Sequence, residues 1–275
     1  MSSDTDAPAT PAQAYQEYFG PAIFGPLAAQ VLAVAPPRPG DRVLDIACGT
    51  GILTRRLAEA AGASGQIVGV DLNPAMLDVA RARTAAGSPV EYRQGDGTAL
   101  DLPAATFDAV YCQQGLQFFP DRAAGCREMG RVLRDGGQAV VATWRGLDHH
   151  PLYAALADAE EPHLAALGVE IGRAELEAPF SLGDPDELAA LIRGAGFGDV
   201  RVHAVSIEAR FADADHFVER MEYAYAAVIP LFAEDPTAFA AYLQAIGSDT
   251  RQIVADHRDG DTVVVPMHAN IAVAT

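Results

Sequence analysis

Lysine is absent from all 275 residues of this chain. The 19 basic residues are therefore all arginines, and 37 acids oppose them for a net charge of −18. Without a lysine amine no Schiff base can form, which excludes pyridoxal-phosphate and class I aldolase chemistry. Nucleic acid and anionic membrane surfaces are recognised by basic patches, so neither is expected as a partner. The acid excess serves solubility. Cysteine is scarce as well: Cys48, Cys112 and Cys126 are widely spaced and indicate neither a disulfide framework nor a zinc site. No spaced cluster of acids and histidines stands out, so no metal is expected. No apolar run approaches the ~20 residues of a membrane span. Met1 to Pro11 lacks the basic and apolar regions of a signal peptide, so residues 1–11 read as a flexible tail and the protein as cytoplasmic. Half the residues are hydrophobic, enough for one full α/β domain with additions.

The most informative stretch is Val43-Leu44-Asp45-Ile46-Ala47-Cys48-Gly49-Thr50-Gly51. Its apolar residues and acid describe a buried parallel strand that reaches the edge of its sheet. Gly49 and Gly51 let the backbone turn where a side chain would meet a ligand. A helix over Ile52 to Ala61 follows, so the turn lies at a helix N-terminus, where free N–H groups attract negative charge. Gln66 to Val70 reads as a second strand closed by Asp71, an acid placed to accept both hydroxyls of a ribose. Strand, glycine turn, helix, strand and acid make a nucleoside-binding half of an open α/β sheet. A dinucleotide fingerprint needs a third small residue where this chain has Thr54. Asp45 would also face two phosphates, so a ligand with a positive end fits better.

The pattern Asp-x-Ala-x-Gly-x-Gly resembles motif I of the class I S-adenosylmethionine-dependent methyltransferases, in their ubiquinone/menaquinone-biosynthesis-like branch. Later blocks agree in order. Gly69 to Leu77 resembles the second, with Asn73 as helix cap and Pro74 as first helical residue. Tyr92 to Gly97 ends a third strand, and Thr106 to Tyr111 forms a fourth. Arg131 to Gly137 followed by Ala139 to Ala142 resembles a helix, a Gly-Gly C-cap and a fifth strand. Ala195-Gly196-Phe197 leads to a sixth. The resemblance is close over 41–145 and looser over 184–206 and 262–274. It implies an α/β, Rossmann-like seven-stranded sheet, mostly parallel with the last strand antiparallel, helices on both faces and a mainly helical lid. It implies S-adenosyl-L-methionine as cofactor and S-adenosyl-L-homocysteine as product. Carried over residue by residue, Asp45, Ala47, Cys48, Gly49 and Gly51 hold the amino-acid end, Asp71 the ribose, Leu72 and Met76 the adenine. Asp96, beside Gly97, accepts from the adenine amine, and Gln113 approaches the methionine end. Leu72 and Met76 read equally as plain core.

Along the chain, residues 12–40 read as N-terminal helices broken near Gly20-Pro21 and Gly25-Pro26. Residues 41–145 are the cofactor-binding core, 146–183 a cap insertion with a helix from Pro151 to about Leu167, and 184–210 a core helix and strand six. Asp184-Pro185-Asp186-Glu187 is a helix-start signature. Residues 211–258, rich in aromatics (Phe211, Phe217, Tyr223, Tyr225, Phe232, Phe239 and Tyr242), read as a helical lid insertion, and 259–275 hold strand seven. Ligands bind at the carboxyl ends of parallel strands, so the additions are expected to cover that end.

The expected reaction is methylation at oxygen, carbon or nitrogen of a small, fairly apolar, natural-product or quinone-like acceptor. The rival is a fold that binds the same cofactor yet runs another reaction, such as a cyclisation. No catalytic base is evident. Where the branch often has a histidine-containing segment, this chain has Gln113-Gln114-Gly115-Leu116-Gln117. His150 is the candidate base, although it reads first as the cap of the helix begun by Pro151. A homodimer is left open.

Overall fold

Apolar residues run almost continuously along the central strands because each strand is covered on both faces. In β1 (Arg42–Ile46), Val43 packs into one cluster while Leu44 and Ile46 pack into another. The computed structural model describes residues 10–226 and 230–275. Beyond β1 the strands are β2 (Gln66–Asp71), β3 (Val90–Gln94), β4 (Phe107–Gln113), β5 (Leu133–Trp144), β6 (Val200–Ala212), β7 (Arg258–Asp259) and β8 (Thr262–Ala274). Their order is β3-β2-β1-β4-β5-β8-β6, with β7 paired only to β8. β1 to β5 are parallel neighbours, and β8 runs antiparallel between β5 and β6. Among the described residues the expected seven-stranded sheet is present, and the two-residue β7 brings the count to eight.

The helices are α1 (Pro11–Phe19), α2 (Gly25–Val34), α3 (Ile52–Ala61), α4 (Pro74–Arg83), α5 (Arg122–Val132), α6 (Pro151–Ala166), α7 (Arg173–Leu176), α8 (Pro185–Gly194), α9 (Phe217–Ala226), α10 (Pro230–Glu234), α11 (Pro236–Asp249) and α12 (Arg251–Asp256). One sheet face packs against α2 and α3 through Ala28, Val31, Leu53 and Leu57. The other packs against α5 and α8 through Cys126, Met129, Leu188 and Ile192. Tyr111 on β4 reaches across to donate its hydroxyl to the Ala35 carbonyl, 2.8 Å away.

Local chemistry sets the helix starts. Asn73 accepts from the Ala75 amide at 2.9 Å, and Asp184 accepts from the Asp186 and Glu187 amides at 2.7 and 3.2 Å. Such a cap is worth about 1 kcal/mol. Three expectations are corrected. Pro21 and Pro26 do not break the N-terminal helices; a π-helical turn over Gly20–Phe24 joins α1 to α2, with the Gly25 amide donating to the Gly20 carbonyl. A wider turn absorbs the missing proline N–H without a kink into solvent. The Gly136-Gly137 pair is not a helix cap. α5 ends at Val132 with Leu133 in extended conformation, and Gly136, at φ +76°, makes an irregularity inside β5. Strand six, expected over Val200 to Ile207, runs on to Ala212, and strand seven, expected over Thr262 to Met267, runs on as β8 to Ala274.

That extra length positions the insertion. β5 ends at Trp144, opposite Ala269 of β8, but β6 and β8 stay paired from Ser206↔His268 to Ala212↔Thr262. Since β6 runs parallel to β5, this two-stranded extension projects beyond the carboxyl ends of the parallel strands. Helices α9 to α12 hang from it. They share one apolar cluster with α6 and the N-terminal helices, including Phe19, Ile23, Trp144, Leu156, Phe211, Phe217, Tyr242 and Ile246. α1 begins at Pro11 behind the Thr10 cap. The rest of the expected tail, residues 1–9, lies outside the described residues, as does the side chain of Tyr225. Among the described residues no helix is long and apolar enough to cross a membrane.

Candidate functional site

The strand order reverses between β1 and β4, and ligands of open α/β sheets bind at the carboxyl edge of such a switch point. A half-open cavity lies there. Its wall contains Asp45, Ala47, Cys48, Gly49 and Thr50 after β1, Gln113 and Gln114 after β4, and Tyr15 and Phe24 from the N-terminal helices. The Tyr15 and Phe24 rings stack at 5.1 Å with 21° between planes.

The turn after β1 is held in a conformation few residues adopt. Gly49 and Gly51 have φ of +53° and +75°, and Ala47 has φ +55°. An alanine in the left-handed region costs about 1–2 kcal/mol, strain that persists where surrounding structure enforces it. Gly51 is required for a second reason: a Cβ there would meet the Tyr92 hydroxyl at 2.3 Å. Tyr92 is fixed by its contact with the Thr84 hydroxyl at 3.0 Å, and its ring also lies where a Cβ on Gly69 would fall.

Two acids support the turn in different ways. Asp71 accepts from the Gly49 amide at 2.7 Å and from the Asn73 amide at 2.8 Å, one oxygen each. It therefore ties the end of β2 to the glycine turn. Burial raises its pKa, and the amide bonds oppose that rise. Asp45 is 1 % exposed, and its Oδ2 accepts from the Thr54 hydroxyl at 2.6 Å. Its other oxygen, Oδ1, is buried with no partner. Burial pushes the Asp45 carboxyl up to about 7, with the nearby Asp71 charge adding to the rise and the Thr54 bond opposing it. Burying an unpaired carboxylate costs several kcal/mol, so a cation beside Asp45 would stabilise its charged form. Other orphaned polar atoms in the same wall are Thr50 Oγ1, Gln113 Oε1 and Gln114 Nε2. Together they present acceptors for an ammonium and donors for a carboxylate. The residues fit the amino-acid end of the expected cofactor.

The remaining sequence candidates fall into two groups. Leu72 is 68 % exposed at the end of β2, which rules out the plain-core reading of that residue. Met76 follows one turn into α4, half-buried. Asp96 is exposed after β3, and Thr98 donates to it through amide and hydroxyl at 2.8 and 2.7 Å, holding its pKa low. Gly97 is packed against Phe119 and Ile46. Gln113 donates through Nε2 to the Phe24 carbonyl at 3.4 Å. Cys48 is buried, and burial plus the charges of Asp45 and Asp71 hold its thiol protonated.

His150 does not fit its candidate role. It is fully buried; Nδ1 lies 3.1 Å from the Gly146 carbonyl, and Nε2 receives the His268 amide at 3.0 Å. Since Nε2 accepts, Nδ1 carries the proton, and no lone pair is left for a substrate proton. Burial lowers its pKa to about 4. Nor does its side chain cap α6. It instead pins the start of α6 to β8.

Sequence reasoning missed Thr54 as the partner of Asp45, although Thr54 was noticed as the residue that breaks a dinucleotide pattern. It also missed Tyr92, for which no local signal exists, and Gln114. Among the described residues no group of three His, Cys, Asp or Glu side chains is placed to hold a metal ion.

Residues 43–137 match the family model described as a methyltransferase domain. Nocamycin O-methyltransferase of Saccharothrix syringae is 32 % identical over 209 residues, covering 72 % of this chain and 74 % of that protein. The chain belongs to the class I S-adenosylmethionine-dependent methyltransferases. Within that family it falls in the ubiquinone/menaquinone-biosynthesis-like branch. The 2-phytyl-1,4-naphtoquinone methyltransferase of Synechococcus elongatus is 40 % identical over 122 residues, 43 % of this chain. The match spans half of that relative's length. Among solved structures, Haemonchus contortus phosphoethanolamine N-methyltransferase 2 shares the methyltransferase fold with a TM-score of 0.57 at 21 % identity, covering 98 % of this chain and 58 % of that one. The YcgJ protein of Bacillus subtilis shares it at 0.55 and 16 % identity, covering 90 % of this chain and 96 % of that one.

Proposed function

We propose that this methyltransferase moves the methyl group of S-adenosyl-L-methionine to a small, fairly apolar acceptor under a helical lid. The observation that carries this reading is the buried, unpartnered Asp45 oxygen in the wall of the switch-point cavity. When bound, the cofactor supplies an electrophilic methyl on a positively charged sulfur. Asp45 and Gln113 would accept from its ammonium. The turn at Ala47, Cys48, Gly49 and Gly51 would receive the amino-acid end, with Thr50 offering its hydroxyl. Asp71 keeps lone pairs for the ribose hydroxyls, Leu72 and Met76 would flank the adenine, and Asp96 and Gly97 would meet its edge.

What the chain adds beyond binding is exclusion of water and alignment. Positive charge vanishes from sulfur during the transfer, so a dry apolar wall favours the step. Tyr15 and Phe24 supply part of that wall, and residues 146–183 with the described parts of 211–258 would supply the cover. Alignment of the acceptor within ~3–3.5 Å of the methyl provides much of the acceleration. The quinone-like or natural-product-like acceptor is supported by the apolar lining of the lid and by the names of the relatives.

The test follows the fate of the cofactor. Purified protein is incubated with methyl-labelled S-adenosyl-L-methionine and a panel of apolar phenols, quinols and amines. One labelled product per S-adenosyl-L-homocysteine formed is expected. Product formed with the cofactor left intact would favour the rival, a non-methylating reaction such as a cyclisation.

A further inference from the structure

We propose that the lid carries a recognition site for a protonated amine, borne by an apolar, ring-containing acceptor and held by the carboxyl pair of Glu160 and Glu222. That the guest is the methyl acceptor rests on the methyltransferase reading above; the preference for a cation does not.

The site is a second half-open cavity, formed by lid elements alone. Tyr153, Leu156 and Glu160 come from α6, Phe180 from the short turn after α7, and Met221 and Glu222 from α9. The Tyr153 and Phe180 rings lie 5.5 Å apart at 55°. Two rings, a thioether and aliphatic carbon therefore surround the two acids.

No cation of the lid opposes their charge. Glu222 is 3 % exposed and Glu160 is half-buried. The two carboxyls hydrogen-bond to each other, and Glu222 Oε2 accepts from the Tyr242 hydroxyl of α11 at 3.1 Å. The helices that line the cavity carry three basic residues, His163 on α6, Arg173 on α7 and Arg220 on α9, while α11 carries none. Each of the three is engaged elsewhere. His163 lies 2.9 Å from Asp249, Arg173 pairs with Asp158 and Glu177, and Arg220 pairs with Asp213.

Packing gives no reason for such a pair. A single amide would satisfy the Tyr242 hydroxyl, and apolar side chains of similar volume would be cheaper to bury than two acids. Perturbed carboxyls in a cavity are instead a mark of ligand sites. The ligand they suit is an ammonium, which makes charge-assisted N–H bonds to carboxylate oxygens and is attracted to ring faces. An anionic guest would be repelled.

Binding of that cation is linked to a proton. Burial raises both carboxyls, and the Glu160 charge raises Glu222 further. Without a cation the pair therefore keeps a proton to higher pH than a carboxyl in water. An ammonium favours the charged form and drives that proton into solvent. A nitrogen held as a cation has no lone pair to attack with, so it is the handle by which the acceptor is recognised and not the nucleophile.

The experiment uses the full-length protein with 2-phenylethylamine as the probe and 2-phenylethanol as its uncharged counterpart. Calorimetry at pH 7, in buffers of different ionisation heat, reads affinity and proton release together. Wild type should bind the amine at least ~10-fold more tightly than the alcohol, as expected of hydrogen bonds to a charged group, and release protons only with the amine. Glu222→Gln keeps an oxygen for Tyr242 and Glu160→Gln leaves that bond untouched; each should abolish both the preference and the proton release. Equal binding of amine and alcohol by wild type, or binding of neither, overturns the proposal. So does a preference that survives in both variants. S-Adenosyl-L-homocysteine is titrated into the same samples and should bind wild type and variants alike; its failure to bind wild type would overturn the methyltransferase reading, whereas the amine preference is read without it.

Discussion

Replacing Asp45 by asparagine separates a binding carboxylate from a structural one, because the two roles predict opposite changes in stability. Asp45 is fully enclosed, and its carboxyl is raised from 3.8 to about 7. A native pKa above the unfolded value means that the folded protein binds the extra proton, so stability falls as pH rises from about 4 to about 7 and stays reduced above that. Roughly three pK units at 1.36 kcal/mol each set an upper bound of about 4 kcal/mol on this penalty. Asparagine abolishes the charge and can still accept from Thr54, but its Nδ2 is left unsatisfied at a cost of about 1–3 kcal/mol. The ligand-free variant is therefore expected to match or exceed wild type by up to about 3 kcal/mol at pH 8, and to lose that advantage at pH 5. Binding moves the other way. Losing a buried charge partner costs about 3–5 kcal/mol, so S-adenosyl-L-homocysteine affinity should fall roughly 10²–10⁴-fold. Urea unfolding at both pH values, with calorimetry on the same samples, makes the check. A variant that is clearly less stable at pH 8 and binds within a few-fold of wild type would refute the reasoning.

Three further outcomes are expected. Gly51→Ala places a Cβ 2.3 Å from the Tyr92 hydroxyl at a backbone φ of +75°, so it should destabilise the protein by about 2 kcal/mol or more, read as a lower urea midpoint. His150→Gln should lower the thermal midpoint through the lost bonds to Gly146 and His268, about 1–3 kcal/mol, yet leave the pH profile of kcat unchanged; a lost titration step would restore His150 as a base. Glu222 is 3 % exposed, accepts from Tyr242 at 3.1 Å, and its carboxyl is raised by burial and by Glu160, whose own is raised by burial. Both raised values mean that stability is fully present at acid pH and drains as pH climbs. Glu222→Gln should flatten that decline in unfolding scans from pH 5 to 9, and a steeper decline would contradict it.

Much of the fold was legible because its cues are local. Asn73-Pro74 and Asp184-Pro185 announce helix starts through the same side-chain bonds that the structure contains, and the apolar runs ending in Asp45 and Asp71 mark parallel strands buried on both faces. The π-turn at Gly20 to Phe24 was not legible, because two prolines five residues apart signal a break equally well. The β6–β8 extension was hidden too, since its residues continue an ordinary strand pattern and only pairing shows that they outrun β5. At the site, the glycine turn and its acids stood out by spacing. Thr54, Tyr92 and Gln114 act through contacts made only after folding: a hydroxyl one helix away, a ring from a neighbouring strand, and an amide clamped by a backbone N–H from β5. His150 misled for the same reason, as a histidine beside a proline says nothing of two backbone partners until β8 lies beside it.

The central claim is that the switch-point cavity grips a zwitterionic thio-nucleoside through a carboxylate left unpaired for the purpose. Calorimetric titration of wild type with S-adenosyl-L-homocysteine at pH 6 and pH 8, in buffers of different ionisation heat, tests it most directly. With Asp45 raised to about 7, the account predicts single-site binding that releases close to one proton at pH 6 and little at pH 8, with affinity roughly ten-fold weaker at pH 6. Absent binding, or binding with no proton release at pH 6, would contradict it.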